Sequence, residues 1–232
     1  VASTGRSILI VGAGPVGLVA ALELARRGFT PRIVDDGAGP PPPNQSRALG
    51  VNARSLTLLS ACGVSERIVA HAQDLAQFRI CSQSAVLVEV DTRKVAGRFP
   101  AICALSQSTT ERLLAEGLAD HGIVPEWGTS LDDICGDAGR PVVRLRRARG
   151  GTETVRPDIV IGADGAHSAV RKAIGLGFPG QGAGSHLLSR RFPICATNRR
   201  DKRRDHAPQS RDARPPAGIG RHVTLYFDPR RL

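Results

Sequence analysis

ILIVGAGPVGLVAALELARRGFTPRIVDD, residues 8–36, decides the fold. Ile8, Leu9, Ile10 and Val11 are a short apolar run that reads as a buried strand. Gly12, Gly14 and Gly17 follow in G-x-G-x-x-G spacing. Pro15 suits a first helical turn, where its missing N–H costs nothing. Leu18, Ala21, Leu22 and Ala25 then fall on one helical face, and Gly28 suits the C-terminal cap. Pro31 to Asp35 reads as a second strand ending in an acid. Such a strand–loop–helix–strand unit is built for a dinucleotide. The first glycine permits the tight turn, the second lets backbone approach a pyrophosphate, and the third lets helix pack on strand. The helix N-terminus offers N–H groups and a positive dipole end. Asp35 stands where a carboxylate accepts from ribose hydroxyls.

Residues 8–22 carry no charge and follow Arg6, as a signal-peptide core would. The three glycines, the proline and the continuing amphipathic helix argue against that, and the run is shorter than a membrane span. At 41% hydrophobic, the 232 residues can bury a sizeable core in one large or two small domains. Five cysteines, with no C-x-x-C pair, read as reduced thiols, mostly core filler, in a cytoplasmic protein. The net charge of +11 invites a nucleic-acid partner, but residues 1–188 hold only +3 of it and residues 189–232 hold +8. With 3% aromatics, stacking platforms for single strands are scarce.

GAGPPPP at 37–43 breaks regular structure. Asn52 or Ser55 caps a short helix through Leu56 and Leu59 that Gly63 stops, and Ser65 caps another. Arg47 and Arg54 read as solvated arginines, with a pyrophosphate contact as the alternative. From Leu75 the period changes to two, giving a hairpin through Phe78–Ile80 and Val86–Val90. Ser108-Thr109-Thr110-Glu111 fits a capping box opening a helix to His121, with Gln107 just before it. Ile123–Trp127 reads as a short strand with Trp127 packed. Strands follow at 131–135, 142–147 and 152–156, the last two joined at Gly150-Gly151. Ile159–Ile161 is a buried strand, followed by the turn Gly162-Ala163-Asp164-Gly165 and a short basic helix. Asp164 lies at the carboxyl end of its strand, where open α/β sheets bind ligands, or else serves as a capping aspartate. His167 reads as a surface residue.

Four of these segments together resemble the class A flavoprotein monooxygenases, the para-hydroxybenzoate hydroxylase type. They are GAGPVG at 12–17 with Asp35, SRALGVNARSLTLL at 46–59, LSQSTTERLL at 105–114 and DIVIGADGAHSAVR at 158–171. The resemblance covers residue 7 to about 180. It implies an α/β fold: a Rossmann-like FAD/NAD(P)-binding fold interrupted by β-rich substrate-domain segments, with its C-terminal part missing or aberrant. Residues 1–74 and 103–178 would form a discontinuous FAD-binding domain, and 75–102 a β-hairpin insertion of the substrate domain. Residues 179–232 would be an incomplete, basic tail, disordered or frameshifted.

The same resemblance implies cofactor contacts. Gly12, Ala13, Gly14, Pro15, Val16 and Gly17 would approach the FAD pyrophosphate. Asp35 would take the adenosine ribose, where the family usually has the longer Glu, with Asp36 as fallback. Arg47 and Gln107 would lie against FAD, and Asp164 and Gly165 against FAD and NAD(P)H. NAD(P)H would reduce FAD, and the reduced flavin with oxygen would hydroxylate a small aromatic or phenolic substrate. That chemistry belongs to the cofactor, so no catalytic side chain is named, and no metal site is read.

The chain departs from the family where a second Gly-Asp motif, binding the flavin ribityl chain, would follow. From Arg190 the sequence loses hydrophobic periodicity and is dense in Arg, Asp and Pro. Weak or absent turnover is the corresponding expectation. Three competing readings remain: a halogenase or geranylgeranyl-type reductase, a basic nucleic-acid-binding protein with a relic Rossmann core, and a non-functional FAD-binding fragment. Segment 46–59 and the Asp-Gly turn favour the monooxygenase over the first. The tail lacks the zinc-ligand spacing and aromatic interleaving that the second needs.

Overall fold

The apolar run at residues 8–11 becomes β1 (Ile8–Val11), buried at every position. The computed structural model describes residues 5–42, 50–82, 85–95, 97–136, 139–180 and 221–227. After β1 come α1 (Pro15–Arg26), β2 (Arg32–Val34), β3 (Gly50–Asn52), α2 (Ala53–Leu59), α3 (Ser65–His71), β4 (Gln73–Ser82), β5 (Ala85–Asp91) and β6 (Ile102–Ala104). Then follow α4 (Gln107–Ala119), β7 (Thr129–Cys135), β8 (Val142–Arg147), β9 (Thr152–Val155), β10 (Ile159–Gly162), α5 (Ala169–Ala173) and β11 (Arg221–Phe227).

β1 is the centre of a parallel three-stranded sheet of order β10-β1-β2, with Ile10 opposite both Ile161 and Ile33. Its side chains alternate between two cores, as a pleated strand requires. Ile8 and Ile10 join α1, α2, α3 and α4 through Leu18, Leu22, Leu56, Ile68, Leu113 and Leu118. Leu9 and Val11 face the other way, against Leu131, Val143 and Leu145 of the antiparallel sheet β7-β8-β9. A strand covered by helices on one face and a β-meander on the other has no use for a polar residue, hence the unbroken ILIV. α1 meets α4 closely: a Cβ at Gly117 would lie 2.6 Å from Val64 Cγ2 and 3.6 Å from Leu22 Cδ2.

The expected hairpin at 75–102 is present as the antiparallel pair β4–β5. It belongs to a larger sheet, order β11-β4-β6-β3 with β5 also on β4. β11 runs parallel to β4, within the stretch in which sequence periodicity had been lost. RHVTLYF has the β-branched and aromatic content of a strand, a signal too short to stand out in a basic, Pro-rich tail. The remainder of 181–232 lies outside the described residues.

Local chemistry shifted several expected boundaries. Of the two candidate caps of α2 it is Asn52, its Oδ1 accepting from Ser55 N at 2.9 Å, and Gly63 takes φ 71° after the following turn. The cap of α4 is Ser106, not Ser108. Ser106 has the extended backbone that a cap needs, and its Oγ accepts from Thr109 N at 3.1 Å. Gln107 is therefore the first helical residue, and Ser108 is buried in the first turn. Ser65 likewise sits inside α3 after the cap Val64, and its hydroxyl donates to Leu56 O at 2.5 Å. Ile123–Trp127 reduces to one parallel bridge, Val34 with Glu126, because the chain turns there to enter β7. Ile159, expected buried, is 37% exposed, since β10 is at the edge of its described sheet. Cys103 is buried and Cys62 half-buried, but Cys135 is exposed rather than core filler.

Arg32 bolts the meander to the parallel sheet. Its Nε and Nη2 donate to the Glu126 carboxylate at 2.7 and 2.8 Å, and its Nη1 and Nη2 donate to Glu153 at 2.8 Å each. Arg147 also donates to Glu153, at 2.8 Å. Arg32 and then Arg147 hold the Glu153 carboxyl at about 2, well below its ordinary value of 4.5. A depressed carboxyl stabilises the fold fully above its unfolded pKa, and that contribution fades as pH falls from about 4.5 towards 2. Arg32→Met should therefore cost about 2 kcal/mol near neutrality, by leaving two half-buried carboxylates without their fork. In urea unfolding the deficit against the parent should shrink between pH 5 and about pH 3; a pH-independent deficit would mean that lost packing dominates.

Candidate cofactor site

Three strand ends converge at the glycine turn. Gly12 N donates to Val34 O at 2.8 Å, and Ala163 N donates to Val11 O at 2.7 Å. The loops after β1, β2 and β10 thus lie side by side at the carboxyl end of the parallel sheet, where such sheets bind ligands. Gly12–Gly17, Asp35 and Asp164–Gly165, widely separated in sequence, are brought together here.

The three glycines of the turn do different work. Gly12 has φ 106°, and a Cβ on it would fall 2.4 Å from Ala163 O. A Cβ on Gly17 would fall 1.8 Å from Gly12 O and 3.3 Å from Ala163 Cβ. Both are closed off by the protein itself. A Cβ on Gly14 would meet nothing within 4 Å. Gly14 is also the N-cap of α1, with extended backbone and no capping side chain, and the first turn of α1 holds no acid. The helix start thus presents its backbone donors and positive dipole end to an open space, as a pyrophosphate requires. Ala13 is buried, Pro15 is half-buried in the first turn, and Val16 is 71% exposed beside the opening.

Asp35 is turned towards the glycine turn. Its Oδ2 accepts from Ala13 N at 2.6 Å and its Oδ1 from Gly37 N at 2.8 Å. Asp36 is exposed and borders a shallow cleft of about 250 Å³ with Gly128, Ser130, Arg146, Arg147 and Ala148. The cap of α5 is Ser168, its Oγ accepting from Arg171 N at 3.0 Å, and Asp164 braces that helix start from outside: Oδ1 accepts from Ser168 Oγ at 2.5 Å, and Oδ2 from Ala169 N at 2.6 Å and Val170 N at 3.1 Å. Gly165 follows with φ 77°, a left-handed turn that favours glycine. Gln107 opens α4, its amide donating to the buried Glu111 carboxylate at 2.8 Å. Arg47 lies outside the described residues. Trp127 packs against the helical core, as read, and His167 is exposed.

Sequence reasoning missed Ala163, whose carbonyl closes off Gly12. The only hint was the small residue between Gly162 and Asp164. Cys62 is not poised as a nucleophile: it donates to Glu23 Oε1 at 3.0 Å, and burial together with that carboxylate pushes its thiol up to about 11. Among the described residues no group of His, Cys, Asp or Glu is placed to hold a metal ion, and no helix is long and apolar enough to cross a membrane.

Residues 6–203 match the profile of the FAD binding domain family. This chain belongs to that family, the FAD-binding domain of class A flavin monooxygenases. The match runs past residue 180, about where the four-motif resemblance ends. Among curated relatives, 6-methylpretetramide 4-monooxygenase of Streptomyces rimosus is 38% identical over 176 residues, covering 74% of this chain and 31% of the relative. Pentachlorophenol 4-monooxygenase of Sphingobium chlorophenolicum is 33% identical over 188 residues, covering 80% and 35%. Among solved structures, the flavin-dependent monooxygenase PieE in complex with FAD and substrate superposes with a TM-score of 0.68 at 27% identity, covering 79% of this chain and 34% of that one. The chain spans about a third of the length of the curated relatives it matches.

Proposed function

We propose that this chain holds FAD as the nucleotide-binding part of a monooxygenase that uses NAD(P)H and oxygen to hydroxylate a small aromatic or phenolic molecule. The observation that carries this reading is the glycine turn, closed at Gly12 and Gly17 and open only at Gly14, on the uncapped start of α1. Backbone from Ala13 to Gly17 would hold the pyrophosphate, and the remaining lone pairs of Asp35 would accept from the adenosine ribose. Asp164 and Gly165 would border the same cofactor from the β10 side, with Gln107 and Arg47 nearer the flavin. FAD would supply the redox chemistry; the protein would orient it and exclude water. A cytoplasmic setting, where NAD(P)H is available, goes with this reading.

The substrate class rests on relatives named for 6-methylpretetramide and pentachlorophenol. The test is titration of the flavin-stripped chain with FAD, followed by flavin absorbance and fluorescence. Saturable binding supports the reading; a folded chain that does not perturb the flavin at any concentration refutes it. Turnover by the 232 residues alone is expected to be weak or absent, because they supply about a third of the relatives' length. NAD(P)H oxidation coupled stoichiometrically to phenol hydroxylation by the purified chain would overturn that expectation.

A further inference from the structure

We infer that Asp35 is a positioning residue, whose carboxylate sets the shape of the glycine turn. This rests on reading the turn as a dinucleotide site, and extends it. Both carboxylate oxygens are engaged by backbone N–H groups of two different turns, Ala13 after β1 and Gly37 after β2. The strand end carrying it is clamped on both sides. Asp35 N donates to Glu126 O at 3.0 Å, Thr129 N donates to Asp35 O at 2.8 Å, and Gly128 N donates to Gly37 O at 2.7 Å. Residue 37 is fitted to the same task, since a Cβ there would stand 2.9 Å from Asp35 Oδ1 and 3.9 Å from the Trp127 ring. The charge is thus held rigidly against Ala13 N–H, fixing the peptide that lies between the closed Gly12 and the open Gly14. Charge-assisted bonds from a carboxylate to backbone N–H are the stronger kind.

The experiment compares the full chain with Asp35→Glu and Gly37→Ala. The first keeps the charge and lengthens the side chain; the second leaves residue 35 intact and crowds its Oδ1. Amide hydrogen exchange is read at Ala13 and Gly37 in the ligand-free chain, with Leu22 as a control for the fold. Affinity is read for FAD and for an FAD analogue lacking the adenosine ribose hydroxyls. Both variants should exchange at Ala13 and Gly37 at least about tenfold faster, with Leu22 still protected. Both should lose about tenfold in affinity for FAD and as much for the analogue. Unchanged exchange, with a penalty confined to the ligand that carries ribose hydroxyls, would overturn the inference, as would tighter FAD binding by Asp35→Glu. If the parent bound neither nucleotide, the cofactor reading would fail, and the exchange arm would still decide whether the carboxylate sets the turn.

Discussion

Gly17→Ala should cost the chain its fold, while Gly14→Ala should leave it standing. The added methyl at 17 would sit 1.8 Å from Gly12 O, far inside van der Waals contact with a backbone atom that cannot rotate away. Gly12 in turn is hemmed in by Ala163 O and held by its own N–H bond to Val34 O, so the overlap propagates through β1 into β10. Overpacking against rigid backbone of this kind costs about 3 kcal/mol, the top of the usual range. In a chain of this size that corresponds to a fall in Tm of about 10 °C or to loss of a cooperative transition. Gly12→Ala should be comparably damaging, because it combines a 2.4 Å approach to Ala163 O with φ 106°. At Gly14, where the backbone is extended with φ −71° and the space is empty, alanine should shift Tm by no more than a degree or two. Thermal unfolding of the three variants side by side checks this; a Gly14→Ala transition as depressed as that of Gly17→Ala would contradict it.

Loss of FAD binding should follow the opposite order of residues. Gly14→Val places a branched side chain in the one part of the turn left open, where backbone would meet a pyrophosphate. The variant should fold, keep its cooperative transition, and bind FAD at least about 100-fold more weakly, equivalent to about 2.7 kcal/mol. Gly14→Ala should show a smaller loss of the same sign. Flavin fluorescence titration of the two folded variants gives the answer directly. If Gly14→Val bound FAD as tightly as the parent, the open space would not be the phosphate site, and the uncapped start of α1 would need another explanation.

Residues 8–36 could be read correctly because everything in them is local. The glycine spacing, the helical face of Leu18, Ala21 and Leu22, and the strand before Asp35 are set by near neighbours. The caps were less legible. Ser106 and Ser108 are chemically alike, and only the extended backbone at 106 selects between them. The edge position of β10, which exposes Ile159, and the strand at Arg221–Phe227 depend on pairing across the fold and left little mark on local periodicity.

The sequence by itself determined that this chain carries a β1–glycine turn–α1–β2 unit, an inserted hairpin and a second strand–turn–helix at Asp164. Each of these is written in short-range spacing of apolar residues, glycines and caps. Tertiary structure alone decided which glycine is left for a ligand, because the atom that closes Gly12 belongs to Ala163 at the end of β10. It also decided that the meander β7-β8-β9 covers the second face of β1, through Leu131, Val143 and Leu145 and the Arg32 fork to Glu126 and Glu153. The direction of the Asp35 carboxylate likewise follows from two backbone N–H groups that only the folded chain brings to it. Contacts of that kind join residues far apart along the chain, so no local pattern of residue types records them.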